Sequence, residues 1–395
     1  MMIAIALCGV GAEKALSNEL KKLNISILDS SFGKLRFSTD IEGLYRALMG
    51  LRVADRVLLE TSLFYAEDFD ALFEGVKNIV WEDFIPKNIG VRIVKVRINR
   101  SRLQSESSVQ AIVHKACADR LCKYYHLSQL PEHGETADLR VYIEKNSVSV
   151  LLDLSGGPLF KRGYRTEGGI APIRETTASA ILLLAGWKRK FSLYDPFCGS
   201  GTIAIEAAMY AWDMAPGLGR SFFLSSLLIG KKELEEEIRK ELREKIDFSR
   251  TIRIYGSDSD TRSISIAKSN TERAYELARG IALSERGIRQ GLRLPWLPDF
   301  KVIPMKEARP IDDEGYIITN PPYGKRLGNS ESAESTYREM EILKKNFPKW
   351  KMGIITDHAG FESFFGEKAD SCRELTNGAI QSYFFQFETK DKLTQ

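Results

Sequence analysis

Three segments in the C-terminal half carry residue types whose spacing can do chemistry. Residues 192–209 read SLYDPFCGSGTIAIEAAM. An apolar strand ends at Asp195 and Pro196, followed by Phe197 and Cys198. Gly199 and Gly201 then let the backbone turn tightly and approach a ligand, and a helix of small residues begins. The N-terminus of such a helix presents unpaired N–H groups, and Thr202 is placed to cap it. The string lacks the third glycine of the dinucleotide fingerprint and the Gly-Lys-Ser/Thr of a P-loop. A Gly-x-Gly alone fits an ordinary strand–helix turn, whereas the full string D-P-F-C-G-S-G-T is far more specific. Residues 251–260, TIRIYGSDSD, end a strand on Asp258, where a doubly wound sheet grips a ribose hydroxyl pair. Asp260, two residues on, suits a ligand contact or a helix cap equally. Residues 315–328, GYIITNPPYGKRLG, end a strand on Asn320, followed by Pro321, Pro322 and Tyr323. The prolines fix φ and extend the residues before them, giving Asn320 a rigid base at a strand's carboxyl end. A strand-ending turn explains the prolines and the glycine, but not an Asn with a Tyr behind it.

Those segments need a scaffold, and from residue 161 the pattern supplies one. SLYDPF, TIRIYGSD, KVIPM, YIITN, KMGIITD and SYFFQFE read as strands alternating with helices, which predicts an α/β, doubly wound parallel sheet. Within it, residues 231–249 repeat Leu234, Ile238, Leu242 and Ile246, an amphipathic surface helix whose charges form a solvated face. Residues 1–60 read as a small α/β unit with a hairpin near Phe32 and Gly33. Residues 61–160 form a second unit, with a long helix over VQAIVHKACADRLCKYY and a strand pair turning at Lys145, Asn146 and Ser147. The Gly- and Pro-rich stretch GGPLFKRGYRTEGGIAP has no periodicity and is read as the linker.

Composition narrows the chemistry. The chain has 395 residues, enough for two or three domains. Its 57 basic and 53 acidic side chains leave a net charge of +4, so an acidic partner must meet a local patch. No apolar run approaches the ~20 residues of a membrane span, and the N-terminus has no basic n-region, so neither a membrane nor a signal peptide is expected. The five cysteines stand alone, with no Cys-x-x-Cys, and the four histidines are scattered singly. No metal is expected, and a cytoplasmic setting fits best.

Taken together, the Asp195, Asp258 and Asn320 segments resemble the class I S-adenosylmethionine-dependent methyltransferases. In these enzymes Asn-Pro-Pro-Tyr marks methylation of an exocyclic amino nitrogen of a planar substrate. An aromatic amine delocalises its lone pair into the ring and is a poor nucleophile. The Asn320 side-chain oxygen and the Pro321 carbonyl would accept its N–H bonds and pyramidalise the nitrogen, while Tyr323 stacks on the base. Residues 161–187, 192–209, 213–222 (DMAPGLGRSF), GSDSD, TNPPYGKRLG and 374–388 (ELTNGAIQSYFFQFE) narrow the likeness further. In this order they resemble the bacterial THUMP-domain 23S ribosomal RNA guanine-N2-methyltransferase family, over roughly the whole chain. The resemblance implies a ferredoxin-like unit at 1–60, a THUMP RNA-binding domain at 61–160 and a Rossmann-like methyltransferase domain at 161–395. It implies S-adenosyl-L-methionine as cofactor, with residues 171–177, from Ala171 to Thr177, at its methionine end. Family members carry an acidic residue after the third strand, facing the cofactor adenine. The stretch KVIPMKEARPIDDEG has none at that place, and Glu307 is the nearest carboxylate.

An RNA partner, 23S rRNA or its precursor particle, needs local basic surface. Residues 84–105 contain Lys87, Arg92, Lys95, Arg97, Arg100 and Arg102 without an acid. Simple alternation sets Arg92 on a different face from Lys95 or Arg97, and a charged edge strand explains the run almost as well. Lys161, Arg162 and Arg165 in the linker form a second basic cluster. Three other readings remain open: a tRNA guanine-N2-methyltransferase, a DNA adenine-N6-methyltransferase and a catalytically silent RNA-binding protein. Only 72 residues follow Tyr323, little room for a DNA target-recognition region, and the extra mass is N-terminal.

Overall fold

In the computed structural model, described for residues 1–165, 173–286, 296–322 and 330–389, the chain builds two seven-stranded sheets. The first holds β1 (Met2–Leu7), β2 (Ser26–Ser31), β3 (Lys34–Thr39), β4 (Arg56–Tyr65), β5 (Gly90–Asn99), β6 (Thr136–Glu144) and β7 (Ser147–Asp153), in the order β2-β3-β1-β4-β7-β6-β5. Only β5 and β6 pair in parallel. Helices α1 (Glu13–Lys22), α2 (Ile41–Gly50), α3 (Phe69–Lys77) and α4 (Glu106–Tyr125) pack against it. Asp40, Asp68 and Ser105 cap α2, α3 and α4 by accepting backbone N–H bonds. Residue 60 lies inside β4, so one sheet runs through residues 2–153 without a break.

A β-bulge changes the basic strand. The β5–β6 register shifts between Ile93 and Lys95, which resets the alternation. Val91, Ile93 and Val96 all point into the core, and Arg92, Lys95 and Arg97 stand opposite Asp138, Arg140 and Tyr142. The three basic residues therefore share one face, contrary to simple alternation.

The second sheet holds β8 (Ser192–Asp195), β9 (Ile254–Asp258), β10 (Asp299–Val302), β11 (Gly315–Thr319), β12 (Trp350–Thr356), β13 (Ser371–Asn377) and β14 (Ile380–Phe387). Their order is β10-β9-β8-β11-β12-β14-β13, parallel up to β12, with β14 antiparallel to both its neighbours. The expected strand over KVIPM ends earlier, at Val302, and β13 adds a strand that the sequence pattern does not signal. Helices α5 (Glu175–Leu184), α6 (Thr202–Ala211), α7 (Lys232–Glu244), α8 (Thr261–Arg286), α9 (Ser330–Glu339), α10 (Glu341–Asn346) and α11 (Phe361–Phe365) accompany it. The strand order reverses between β8 and β11, which opens a crevice at the carboxyl ends of the central strands. Among the described residues no helix is long and apolar enough to cross a membrane.

Two expectations fail on burial. The described part of the linker is packed rather than free, with Leu159, Arg162 and Tyr164 buried. And α7 is not solvated across its whole charged surface. Arg239 and Glu235 are buried as an ion pair of 2.6 Å, and Arg239 also donates to the Leu218 and Arg220 carbonyls. One apolar core runs through both halves, from Leu16 and Leu48 to Ile181 and Met209. Backbone bonds from Gly217 N to Met49 O (2.8 Å) and from Leu224 N to Leu154 O (3.1 Å) cross between them.

Candidate active site

The crevice holds a cavity of about 850 Å³. Asp195, Phe197, Cys198, Gly199 and Thr202 line it from the β8–α6 turn, Asp258 and Asp260 from the end of β9, and Asn320 and Pro322 from the end of β11. Topology alone brings the three sequence segments together, since each follows a strand that ends at the same edge.

Asp195 is buried and accepts from Thr319 Oγ1 (2.5 Å) and the Phe197 N–H (3.2 Å). Burial pushes its carboxyl up to about 7, against the pull of those two donors, and the Asp258 charge pushes the same way. Asp258 supports the glycine loop: Oδ2 accepts from Gly199 N (3.0 Å) and Oδ1 from Asp260 N (3.0 Å). Asp260 caps α8, accepting from the N–H groups of Arg262 and Ser263 and from Ser263 Oγ. Those bonds, led by the Ser263 hydroxyl, hold its exposed carboxyl below the usual range.

Gly199 and Gly201 both adopt positive φ, +50° and +79°. A Cβ on Gly201 would lie 3.0 Å from the Phe300 ring and 3.1 Å from Ala267, whereas one on Gly199 would meet open space. Thr202 does not cap α6; the cap is Gly201, left-handed and without a side chain, and the Thr202 hydroxyl at the cavity wall instead lies 3.5 Å from Arg165 Nη1 and 3.4 Å from Ser200 Oγ. Pro196 and Pro321 are buried beneath this surface.

Asn320 is 6% exposed, and its Oδ1 has no hydrogen-bond partner among the described residues. A buried acceptor left unpaired costs about 1–3 kcal/mol, a cost that a donor on a ligand would remove.

Other expected residues lie elsewhere. Glu307 is exposed and not among the cavity-lining residues. The carboxylate in the lining there belongs to Glu339 on α9, held by Lys306 Nζ at 2.9 Å. Thr177 is buried in α5 and does not line the cavity; Ile173 does. Ala171 and Tyr323 lie outside the described residues. Arg162 and Arg165 are not free cations. Arg162 is buried, donating to the carbonyls of Leu159 (2.7 Å) and Arg52 (2.5 Å), and Arg165 pairs with Glu175 at 2.5 Å. Lys161 is exposed. On the basic strand Arg92 pairs with Asp138 (2.7 Å) and Arg102 with Glu67, while Arg97 and Arg100 are exposed and Lys95 is half-buried. Sequence reading missed Ile266, Met305 and Glu339 at the cavity and Thr319 beneath it. Thr319 was legible as the residue before Asn320 in TNPPY. The other three belong to elements that meet only in the fold.

Residues 162–384 match the family model described as the RMKL-like methyltransferase domain, and residues 4–58 match the RlmL ferredoxin-like domain. The chain belongs to the RMKL-like methyltransferase family. It is 34% identical to a putative RNA methyltransferase, YpsC, of Bacillus subtilis (strain 168), over 98% of this chain and 96% of that protein. It is 31% identical to a ribosomal RNA large subunit methyltransferase K/L of Syntrophotalea carbinolica, over 97% of this chain but only 53% of that longer protein. Among solved structures, SMU.472, a putative methyltransferase complexed with SAH, superposes with a TM-score of 0.86 at 32% identity, covering 98% of each chain. The cofactor is S-adenosyl-L-methionine, which supplies an electrophilic methyl group on a sulfonium. The cavity fits it: a helix N-terminus stands behind a glycine loop, and the carboxylates of Asp195 and Asp258 would meet positive charge and hydroxyls.

Proposed function

We propose that the protein transfers a methyl group to the exocyclic N2 amine of a guanine in RNA, with 23S rRNA or its precursor particle as substrate. The observation that carries this reading is the buried, unpaired Asn320 Oδ1 in the cavity wall. Together with the Pro321 carbonyl it accepts the two N–H bonds of the amine and turns the nitrogen lone pair outward. No strong general base is needed, because the positioned acceptors stabilise charge developing on nitrogen. Tyr323 follows directly in sequence and is assigned to stacking on the flipped base. Within the 171–177 segment, Ile173 is the residue assigned to the methionine end. Residues 61–160 are assigned to RNA capture as a THUMP domain, with Lys95, Arg97 and Arg100 as its cations open to phosphate and Lys161 beside it in the linker. The names of the relatives above support RNA and the large ribosomal subunit as the target.

Tritium transfer from labelled cofactor to 23S rRNA, large-subunit precursor particles, tRNA and duplex DNA, followed by nucleoside analysis, tests the reading. N2-methylguanosine in 23S rRNA is the expected product. N2-methylguanosine confined to tRNA, N6-methyladenine in DNA, or RNA binding without transfer would each replace it.

A further inference from the structure

We propose that Asp55, between α2 and β4 in the N-terminal half, is a positioning residue for the cofactor cavity more than 100 positions later in the chain. The inference rests on reading that cavity as the S-adenosyl-L-methionine site. Ile173 lines the cavity, and Arg165 Nη1 donates both to Ile173 O (3.1 Å) and to Thr202 Oγ1 (3.5 Å), which sets this wall beside the start of α6, while Met305, Lys306 and Glu339 line the cavity from other elements. With the ribose assigned to Asp258 at the end of the second strand, the adenine lies toward Met305 and the amino-acid end toward Ile173.

The segment that carries Ile173 is held by residues outside its own half. Asp55 Oδ1 accepts from Thr176 Oγ1 (2.6 Å), and Oδ2 lies 3.4 Å from Arg174 Nη1. Asp55 is itself fixed at both backbone atoms, donating to Leu7 O (2.6 Å) and accepting from Leu159 N (2.8 Å). The Arg174 guanidinium lies over the Phe160 ring, 4.7 Å from its centre. From the opposite side, Asn377 Oδ1 accepts from Arg174 N (3.1 Å), and a Cβ on Gly378 would strike the same guanidinium at 2.9 Å.

The β13 end that presents Asn377 is in turn tied to the N-terminal half. Val10 N donates to Thr376 Oγ1 (2.8 Å), and Thr376 N donates to Val10 O (3.0 Å). Gly9 and Gly11 permit this approach, since a Cβ on Gly9 would lie 2.6 Å from Thr376 O and one on Gly11 1.8 Å from Glu374 O. So the two glycines after β1, which bear no ligand-binding motif, serve to dock the first turn of the chain on the edge of the catalytic sheet. Asp55 uses that docked surface to set the wall at Ile173. The N-terminal half is thereby a structural part of the cofactor site as well as the candidate RNA module.

The test compares two ligands on the full chain by calorimetric titration: S-adenosylhomocysteine and 5′-methylthioadenosine, which lacks the amino-acid end. Asp55→Ala should weaken S-adenosylhomocysteine about tenfold, the cost of one hydrogen bond to a charged group, and leave methylthioadenosine within about twofold. Thr176→Val should weaken it in the same direction from the other partner, and the double variant should be no worse than Asp55→Ala alone, because Asp55→Ala already removes the bond that Thr176→Val removes. Thr176→Ser, which keeps the hydroxyl, should restore wild-type affinity. Thr176→Val carries the test should Asp55→Ala fold poorly. Unchanged S-adenosylhomocysteine affinity, or an equal loss for both ligands, overturns the positioning role while leaving the cavity assignment intact. A wild-type chain that binds neither ligand overturns the cavity assignment and this proposal with it.

Discussion

Asn320 and Asp195 show what single side chains contribute. Asn320→Ala removes an acceptor proposed to act mainly as the amine rehybridises. Turnover should fall about 10²–10³-fold, with cofactor affinity unchanged, in single-turnover assays on the identified RNA. A near-wild-type rate would remove Asn320 from the chemistry. Asp195 makes a pH prediction. Its folded pKa, about 7, lies above its ordinary value of 3.8. Between those values the native state holds the extra proton, so ionisation as pH rises costs the folded state stability. Urea unfolding from about pH 5 to about pH 8 should therefore show wild type losing stability relative to Asp195→Asn. A cofactor carrying a sulfonium and an ammonium favours the ionised form. Binding should then release a proton near neutral pH, visible in titrations across buffers of different ionisation enthalpy and absent in Asp195→Asn.

At the scale of elements, the β8–α6 turn does two jobs with two glycines. Gly201 is squeezed between Phe300 and Ala267, whereas Gly199 faces open space. Both are left-handed, which costs a non-glycine residue about 1–2 kcal/mol. Gly201→Ala should therefore lower thermal stability more than Gly199→Ala, since it adds a clash to the strain. Gly199→Val, projecting into the cavity, should abolish S-adenosylhomocysteine binding while the fold persists. Equal melting temperatures for the two alanine variants would contradict this packing. The bulge in β5 is a second element-scale device. One inserted residue moves Arg92 onto the face of Lys95 and Arg97, and the pairing with Asp138 then occupies it.

For the whole molecule, that pairing separates cations that can meet phosphate from those already engaged. Removing one cation that neutralises a phosphate in an RNA complex lowers the salt slope of binding by about 0.7–0.9. Arg97→Ala should show that decrement in an anisotropy series across salt concentrations. Arg92→Ala and Arg102→Ala should show less, because Asp138 and Glu67 already hold those guanidiniums. Equal decrements would mean that the ion pairs open on binding. The packed linker makes a related point: Arg162 and Arg165 spend their charge within the protein, and Arg162, through the Arg52 carbonyl, ties the two halves together.

Much of the site was written locally. D-P-F-C-G-S-G-T, S-D-S-D and T-N-P-P-Y each follow an apolar strand, and strand polarity in a parallel sheet sends all three to one edge. Local pattern therefore determined the fold class, the glycine loop after β8 and the place of Asn320. Pairing across long separations decided the rest. A bulge in β5 depends on register with β6, and the fate of Arg162 depends on a carbonyl at Arg52. The acid at the far end of the cavity comes from α9 rather than from Glu307 beside β10. Such outcomes turn on which charge finds a partner once burial makes an unpaired one costly, and that choice is made only when distant segments pack.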